Sequence, residues 1–520
     1  MTRIGVFGWG VVAPKSPDIA TFERNLASSE TWLTPFNGFG PDNFLVGTPD
    51  FDFEVYRPWI EARFPPSRFR QITDKMGTPT RYAMGCYIQA LRQNPGLESE
   101  LKRLDTQTHV YLGTGVGDLP TTHDASIALY HSQRRWNRFW SAPVRNTAMQ
   151  KWLAAGRPTE SGMPANPADC SMDERDQAES GWWSWWAGRS PELGQYLDEL
   201  RQIESTNVVG DIERGKMSMM KQKQRELNIL QEKWQTPEPP WKSVTANIIW
   251  NIHNGSASQI SMLGGFHGLS FAPIGACATF GVCLGLGMDA IRAGRAKAVV
   301  VGATEPVPHP LAVGSMYSCR VLAADADVSK PLHGLRGTHI SGGAVVWIIG
   351  DWDHMTRLGF TPLGMEPLSV GLSNDAHHII TPSREGPLLA IDDALRDAGA
   401  EVSELGSWDL HATATPGDFM EVENLRTVVP HPVLVTARKG TFGHGMGAGG
   451  GWELTAQYLG YMRGRLAPTP LAREDLHPAI AGVHDNFVFD QACDAPAGLA
   501  GKISMGVGGV NACIVSKPLP

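Results

Sequence analysis

The chain has 520 residues, 42% of them hydrophobic and 19% charged, with a formal net charge of −8. That length is enough for a large fused core or for roughly two to four domains of ordinary size. The mild acidity excludes a general nucleic-acid binder, which needs a strongly basic surface, and no run reaches the roughly 18–20 uninterrupted apolar residues of a membrane span.

In chain order, MTRIGVFGWGVVAP reads as a first strand and not as a secretory leader, because one basic residue precedes a short apolar run. Further apolar runs at 4–7, 109–112, 298–301 and 344–349 predict buried strands. Helical patterns cover 80–93, 281–293 and 388–398. Strand, Gly-rich turn and helix recur throughout, so the fold class is α/β. The stretch 121–245 departs from this style, with few strand-like runs and a high density of tryptophan. Its segment 211–233 is charged and helix-compatible, with Leu227, Leu230 and Trp234 on one face. We read the whole as a mainly helical insertion. The WWSWW run at 182–186 calls for a burial partner: a local core, a dimer contact or a lid over a channel. An echo of strand, Gly-rich turn and helix links 271–301 with 434–463 and suits a duplicated architecture.

Seven cysteines are scattered singly, at 86, 170, 277, 283, 319, 493 and 513. The absence of a C-x-x-C pair argues against a zinc or redox pair, and a reducing, cytoplasmic setting fits. Cys277, in SFAPIGACATFGVCLGLGMDAIRAG, ends a short strand at a small-residue turn before a helix. There the helix dipole favours thiolate, the nucleophilic form, while Gly275, Ala276 and Ala278 let a thioester approach. A lone cysteine such as Cys277 is more commonly a buried structural residue, and Cys283 reads as core. His411 closes the strand-like WDLHA before a Thr/Pro/Gly turn, and Lys439 and His444 flank a tight turn in TARKGTFGHGMGAGG. The turn 506–509 in KISMGVGGVNACIV offers backbone N–H groups to an oxyanion, or is a plain hairpin. GTGVGD at 113–118 lacks the third glycine and the spaced acidic residue of a dinucleotide loop and is discounted as one.

Taken in order, RIGVFGWGVVAP, THVYLGTGVGDL, GACATFGV, VVGATEPVPHPLAVGSMYSCRVLA, LHATATPGDFMEVENL, TARKGTFGHGMGAGG and SMGVGGVNACIV resemble the β-ketoacyl-acyl-carrier-protein synthases, the elongating condensing enzymes of fatty acid and polyketide synthesis. The resemblance implies a thiolase-like duplicated αβαβα five-layer fold, with residues 1–355 carrying the nucleophile and the insertion, and 356–520 carrying the two histidines. It implies decarboxylative Claisen condensation of an acyl group on Cys277 with a malonyl-type thioester on acyl carrier protein. Backbone N–H groups of Cys277 and Val507 would form the oxyanion hole. His411 and His444 would stabilise the enolate. Lys439 would order the site with Glu421 as its partner and Asp418 nearby, and Thr413 and Thr415 would contact the phosphopantetheine arm. Arg68, Arg70 and Lys75 would face the acidic carrier, with Arg134, Arg135 and Arg138 as additions to that patch. No metal or other cofactor is implied, and the partners are the carrier, its thioesters and a second subunit, in a homodimer or a heterodimer with a related chain.

Three departures mark the sequence. Met505 and Val507 stand where the family has phenylalanines beside the nucleophile and at the acyl gate. LRGTHISGGA at 335–344 lacks the family's acidic residue, and Ala412 follows His411 in place of glycine. These point to a specialised acyl or polyketide pathway. Two alternatives stand beside the leading reading: an acyltransferase that uses Cys277 without decarboxylation, and a non-catalytic partner subunit like a chain-length factor.

Overall fold

The computed structural model describes residues 2–40, 43–207 and 212–520. Its apolar runs become the strands of two five-stranded sheets. The first holds β1 (Ile4–Val12), β2 (Thr108–Gly113), β3 (Ser270–Phe271), β4 (Ala298–Glu305) and β5 (Gly343–Asp351), in the order β1-β5-β4-β2-β3. The second holds β6 (Met365–Asn374), β7 (Leu405–Asp409), β8 (Leu434–Thr436), β9 (Leu499–Met505) and β10 (Val510–Pro518), in the order β6-β10-β9-β7-β8. The two orders are the same when each sheet's strands are ranked along the chain. The directions match as well: the first two pairings are antiparallel and the last two parallel in both. This is the duplication that the echo between 271–301 and 434–463 hinted at.

Side chains alternate between the faces of a strand, so a strand covered on both sides is apolar throughout. In β5, Ala344, Val346 and Ile348 turn outward with Val300 of β4, against helices α1 (Thr78–Leu91) and α2 (Gly255–Gly264). Val345, Trp347 and Ile349 turn inward, against helix α3 (Thr279–Arg292). Helices α4 (Glu385–Ala398) and α5 (Gly417–Val428) cover the outer face of the second sheet, through Ile391, Leu395, Val422 and Leu425 on Trp408 and Ile503. Helix α6 (Met446–Arg463) joins α3 between the sheets, where Trp452 and Tyr458 share a core with Phe280 and Trp347. The layers therefore run helix, sheet, helix, sheet, helix.

Thr121–Ile248 forms a second unit. Its helices include Arg175–Ala187, Pro191–Glu204 and Ile212–Trp234; residue 211, the first of the expected helix, lies outside the described residues. Of the WWSWW run, Trp182 and Trp186 are four apart and enter one cluster with Trp152 and Met149. Trp136, Trp140, Tyr196 and Leu230 form another. Asn146 joins the two, donating to the carbonyls of Trp140 (3.0 Å) and Trp186 (2.7 Å). The WWSWW run thus builds a local core. No helix among the described residues is long and apolar enough to cross a membrane.

Candidate active site

Cys277 lies in a single helical turn, Ala276–Ala278, between β3 and α3. Ala276 takes φ +47°, a left-handed conformation that costs a non-glycine residue energy. The thiol is 6% exposed, and its Sγ stands 3.1 Å from Nε2 of His444. The His411 ring meets the His444 ring edge-on, with centroids 5.3 Å apart. Residues 277, 411 and 444, far apart in sequence, thus gather in one buried cluster. The backbone N–H groups of Val507 and Cys277 point at the sulfur.

The close approach of the 506–509 turn depends on Gly506. A Cβ there would lie 2.6 Å from the Gly275 carbonyl oxygen and 3.2 Å from the Cys277 nitrogen. His444 is held by the segment without the acidic residue. Its N–H donates to the His339 carbonyl (2.6 Å), and its carbonyl accepts from Ser341 N–H (2.9 Å). His339 itself is buried and stays neutral, its pKa lowered to about 4 mainly by burial.

The electrostatics correct one expectation. Burial pushes the Cys277 thiol up to about 11, against the opposing pull of the Val507 and Cys277 N–H groups and of Lys439. The resting group is therefore a thiol and not the thiolate the helix terminus alone would favour. Burial, with the nearby charge of Lys439, holds both His411 and His444 well below the usual histidine range, so both imidazoles are neutral.

A second correction concerns Lys439. Its partner is Glu453 on α6, at 2.6 Å, and not Glu421. Lys439 Nζ also donates to the His411 carbonyl and stands 3.4 Å from His411 Nδ1. An ammonium has no acceptor to offer, so His411 Nδ1 is the acceptor and its Nε2 carries the proton. Glu421 has other work. Its two oxygens accept from the N–H groups of His411 (2.6 Å) and Ala412 (2.8 Å). Asp418 accepts from the N–H groups of Thr413, Ala414 and Leu332. Burial raises Asp418 to about 6 and Glu421 to about 7. Ala412 is outside the left-handed region, so its methyl is no strain there. The hydroxyls of Thr413 and Thr415 lie 2.9 Å apart, half-buried. Met505 is buried in the outer core of the second sheet, while Val507 is 48% exposed.

Two acids escaped the sequence reading. Besides Glu453, Glu305 at the end of β4 accepts from the N–H groups of Gly115, Val116 (3.3 Å) and Gly447 (3.0 Å) and from the Thr114 hydroxyl. The discounted GTGVGD segment is therefore a cradle for a carboxylate. A Cβ on Gly447 would sit 2.6 Å from Glu305 Oε1. Burial raises Glu305 to about 7.

The structure spreads the cations of the expected basic patch around one helix. Arg68 is tied to Gln71 and Gln259, each at 2.7 Å, and half-buried. On the helix Ser67–Lys75, Arg70 points roughly 200° away from Arg68. Arg70 is exposed and Lys75 partly so. Among the described residues, no group of three or more His, Cys, Asp or Glu side chains is arranged to hold a metal.

The model of the β-ketoacyl synthase N-terminal domain matches residues 1–159 and 216–350, and that of the C-terminal domain matches 367–472. The chain belongs to the β-ketoacyl synthase family. Within this chain the break in the match, 160–215, falls inside the Thr121–Ile248 unit. A chloroplastic 3-oxoacyl-[acyl-carrier-protein] synthase I of Hordeum vulgare is 28% identical over 281 residues, 52% of this chain and 60% of that protein. The 3-oxoacyl-[acyl-carrier-protein] synthase 2 of Vibrio harveyi is 28% identical over 52% of this chain and 66% of its own. The chain thus spans less than two thirds of the length of these curated relatives. Among solved structures, the ishigamide ketosynthase/chain length factor superposes with a TM-score of 0.69 at 19% identity, covering all of both chains. A β-ketoacyl synthase from Burkholderia phymatum STM815 gives 0.69 at 17%, again over all of both chains. The fold is thiolase-like, as expected.

Proposed function

We propose that this ketosynthase catalyses decarboxylative condensation of a Cys277-bound acyl group with a malonyl-type thioester on acyl carrier protein. The observation that carries the reading is the buried Cys277–His444–His411 cluster, with the sulfur 3.1 Å from an imidazole nitrogen. In the first half-reaction Cys277 loses its proton to His444 Nε2, 3.1 Å from the sulfur, and Sγ attacks the acyl thioester. The N–H groups of Cys277 and Val507 stabilise the oxyanion, and the carrier thiol leaves with that proton. In the second, the Nε2–H of His411 donates to the malonyl thioester carbonyl, joined by His444 once exchange with solvent has moved its ring proton from Nδ1 to Nε2. Carbon dioxide leaves, the enolate carbon attacks the acyl carbon, and Sγ departs as thiolate and takes up one proton from solvent. Thr413 and Thr415 contact the pantetheine arm, and Met505 and Val507 shape the acyl end. Arg70, the exposed cation of the helix Ser67–Lys75, is the residue offered to an acidic carrier.

A paired assembly accompanies the reading. β3 is an edge strand, and Met262, Leu269 and Ile274 near it are each more than half exposed. An unpaired edge beside apolar surface favours a second subunit, whether identical or related. The seven cysteines are all free, which agrees with a reducing cytoplasmic setting.

Intact mass after exposure to a panel of acyl carriers tests the first half, with Cys277→Ala as control. Malonyl-carrier decarboxylation tests the second. An acyl adduct on the wild type alone, with carbon dioxide release, is expected. Acylation without release would favour plain acyl transfer, and no adduct at all would favour the partner-subunit role.

A further inference from the structure

Lys502 has no place in the chemistry above, yet it is one of the most deeply buried charges in the molecule. It sits on β9, at 0% exposure, in the otherwise apolar LAGKISM. Its Nζ stands 2.8 Å from Oε2 of Glu453 and 3.4 Å from Oδ1 of Asp409, and donates to the Ile503 carbonyl at 2.6 Å. The other oxygen of Glu453 holds Lys439, and Lys439 holds His411 at both the carbonyl and Nδ1. Asp409 lies two residues before His411, accepts from the Thr436 hydroxyl and is 3.5 Å from Arg438 Nε. A continuous chain of alternating charge therefore runs Arg438, Asp409, Lys502, Glu453, Lys439 to the back of an imidazole.

Neutralising Glu453 does not require Lys502, since Lys439 already does so. Stability does not explain it either: apolar side chains of similar volume commonly replace buried ion pairs with no loss. What the second ammonium adds is geometry. A carboxylate gripped at both oxygens cannot swing, and the ammonium on its far oxygen is then fixed against His411. We propose that Lys502 is a positioning residue for the enolate-forming half-reaction, acting through Glu453 and Lys439 to hold His411 with its Nε2–H aimed into the pocket. The assignment rests on the decarboxylative reading. Acyl transfer to Cys277 uses the Cys277 and Val507 N–H groups and His444 Nε2, none of which is hydrogen-bonded to this chain of charges; Lys439 reaches the sulfur only through its charge.

The test compares Lys502→Met with the wild type in both half-reactions. Acylation of Cys277 by an acyl carrier should stay within about threefold. The kcat for malonyl-carrier decarboxylation should fall by about 100-fold, as for a catalytic group displaced by about 1 Å, with KM unchanged. Glu453→Gln should show the same split, and the double variant Lys502→Met/Glu453→Gln should lose no more than Glu453→Gln alone, because members of one chain are not additive. If Lys502→Met does not fold, Lys502→Met/Asp409→Asn removes a cation and an anion together and is measured instead. Equal loss in both half-reactions, no loss in either, additive losses, or failure of both variants to fold would each overturn the proposal. A wild type that takes an acyl group but releases no carbon dioxide would sink the reading beneath it, and the proposal with it.

Discussion

Sγ of Cys277 and Nε2 of His444 face each other at 3.1 Å with both groups uncharged near neutral pH. Burial sets that state on both sides of the pair, and it outweighs the helix termini and N–H groups that favour an anion. The resting site is a thiol beside an imidazole, so its reactivity towards small electrophiles follows the thiolate fraction.

Alkylation of Cys277 by iodoacetamide should therefore be slow at pH 7 and rise about tenfold per pH unit across pH 7–10. A thiol at about 11 gives no plateau in that window. Inactivation rates against pH, with the adduct mapped by peptide mass, check this; a plateau near pH 7 would mean a thiolate at rest.

Glu305 links pH to stability. Its folded pKa, about 7, is raised above the ordinary 4.5. A raised carboxyl binds its proton more tightly in the folded state, so its contribution is complete below about pH 4.5 and is lost as pH rises through 7. The loss is on the order of 3 kcal/mol for a shift of this size. Melting temperatures of the wild type and Glu305→Gln from pH 5 to pH 9 should diverge up to about pH 7, with the variant gaining on the wild type over that range and holding its lead above it. Parallel curves would refute the linkage.

Gly506→Ala forces a methyl onto the backbone of Gly275 and Cys277. Backbone cannot yield as a flexible side chain does, so the turn must retreat from the elbow. The Val507 N–H retreats with it. Loss of one oxyanion donor costs on the order of 100-fold, and overpacking about 1–3 kcal/mol. Single-turnover acylation of Cys277 and a urea melt report the two effects separately.

Trp186→Ala empties the centre of the cluster with Trp152 and Trp182. A buried tryptophan lost to alanine costs about 3–5 kcal/mol. Because Thr121–Ile248 has its own core, the expected result is an early transition in tryptophan fluorescence. Circular dichroism of the same sample, followed with Cys277 acylation, shows whether the sheets unfold with it.

Much of this was legible in the sequence. Strands and helices that carry the site were set by apolar runs and small-residue turns, and β4, for instance, only extended from 298–301 to Ala298–Glu305. Cys277 and His411 stood out because each follows a strand-like run at a turn, and His444 because it flanks a glycine-rich turn with Lys439. Glu453, Lys502 and Glu305 did not, because their significance lies in partners across the fold. A local signal did exist: each is the lone charge in an apolar segment, and a charge seldom enters a core unpaired. The choice of Glu421 over Glu453 as the partner of Lys439 failed for the same reason, since nothing local says which carboxylate the backbone N–H groups of His411 and Ala412 will claim. Nor does spacing in the chain show which cations share a side: Arg68 and Arg70 are two apart and point in different directions on the helix surface.

The matched strand orders carry one more meaning. Cys277 follows β3 and His444 follows β8, the third-ranked strand of each half. Likewise, Thr114 to Val116 surround Glu305 after β2, and His411 to Thr415 rest on Glu421 and Asp418 after β7. The nucleophile and its imidazole are thus counterparts across a pseudo-symmetry seam, which the backbone bonds of His444 to His339 and Ser341 cross. A change in how α3 and α6 pack would show up first as a change in the reach from sulfur to ring nitrogen, long before either half lost its shape.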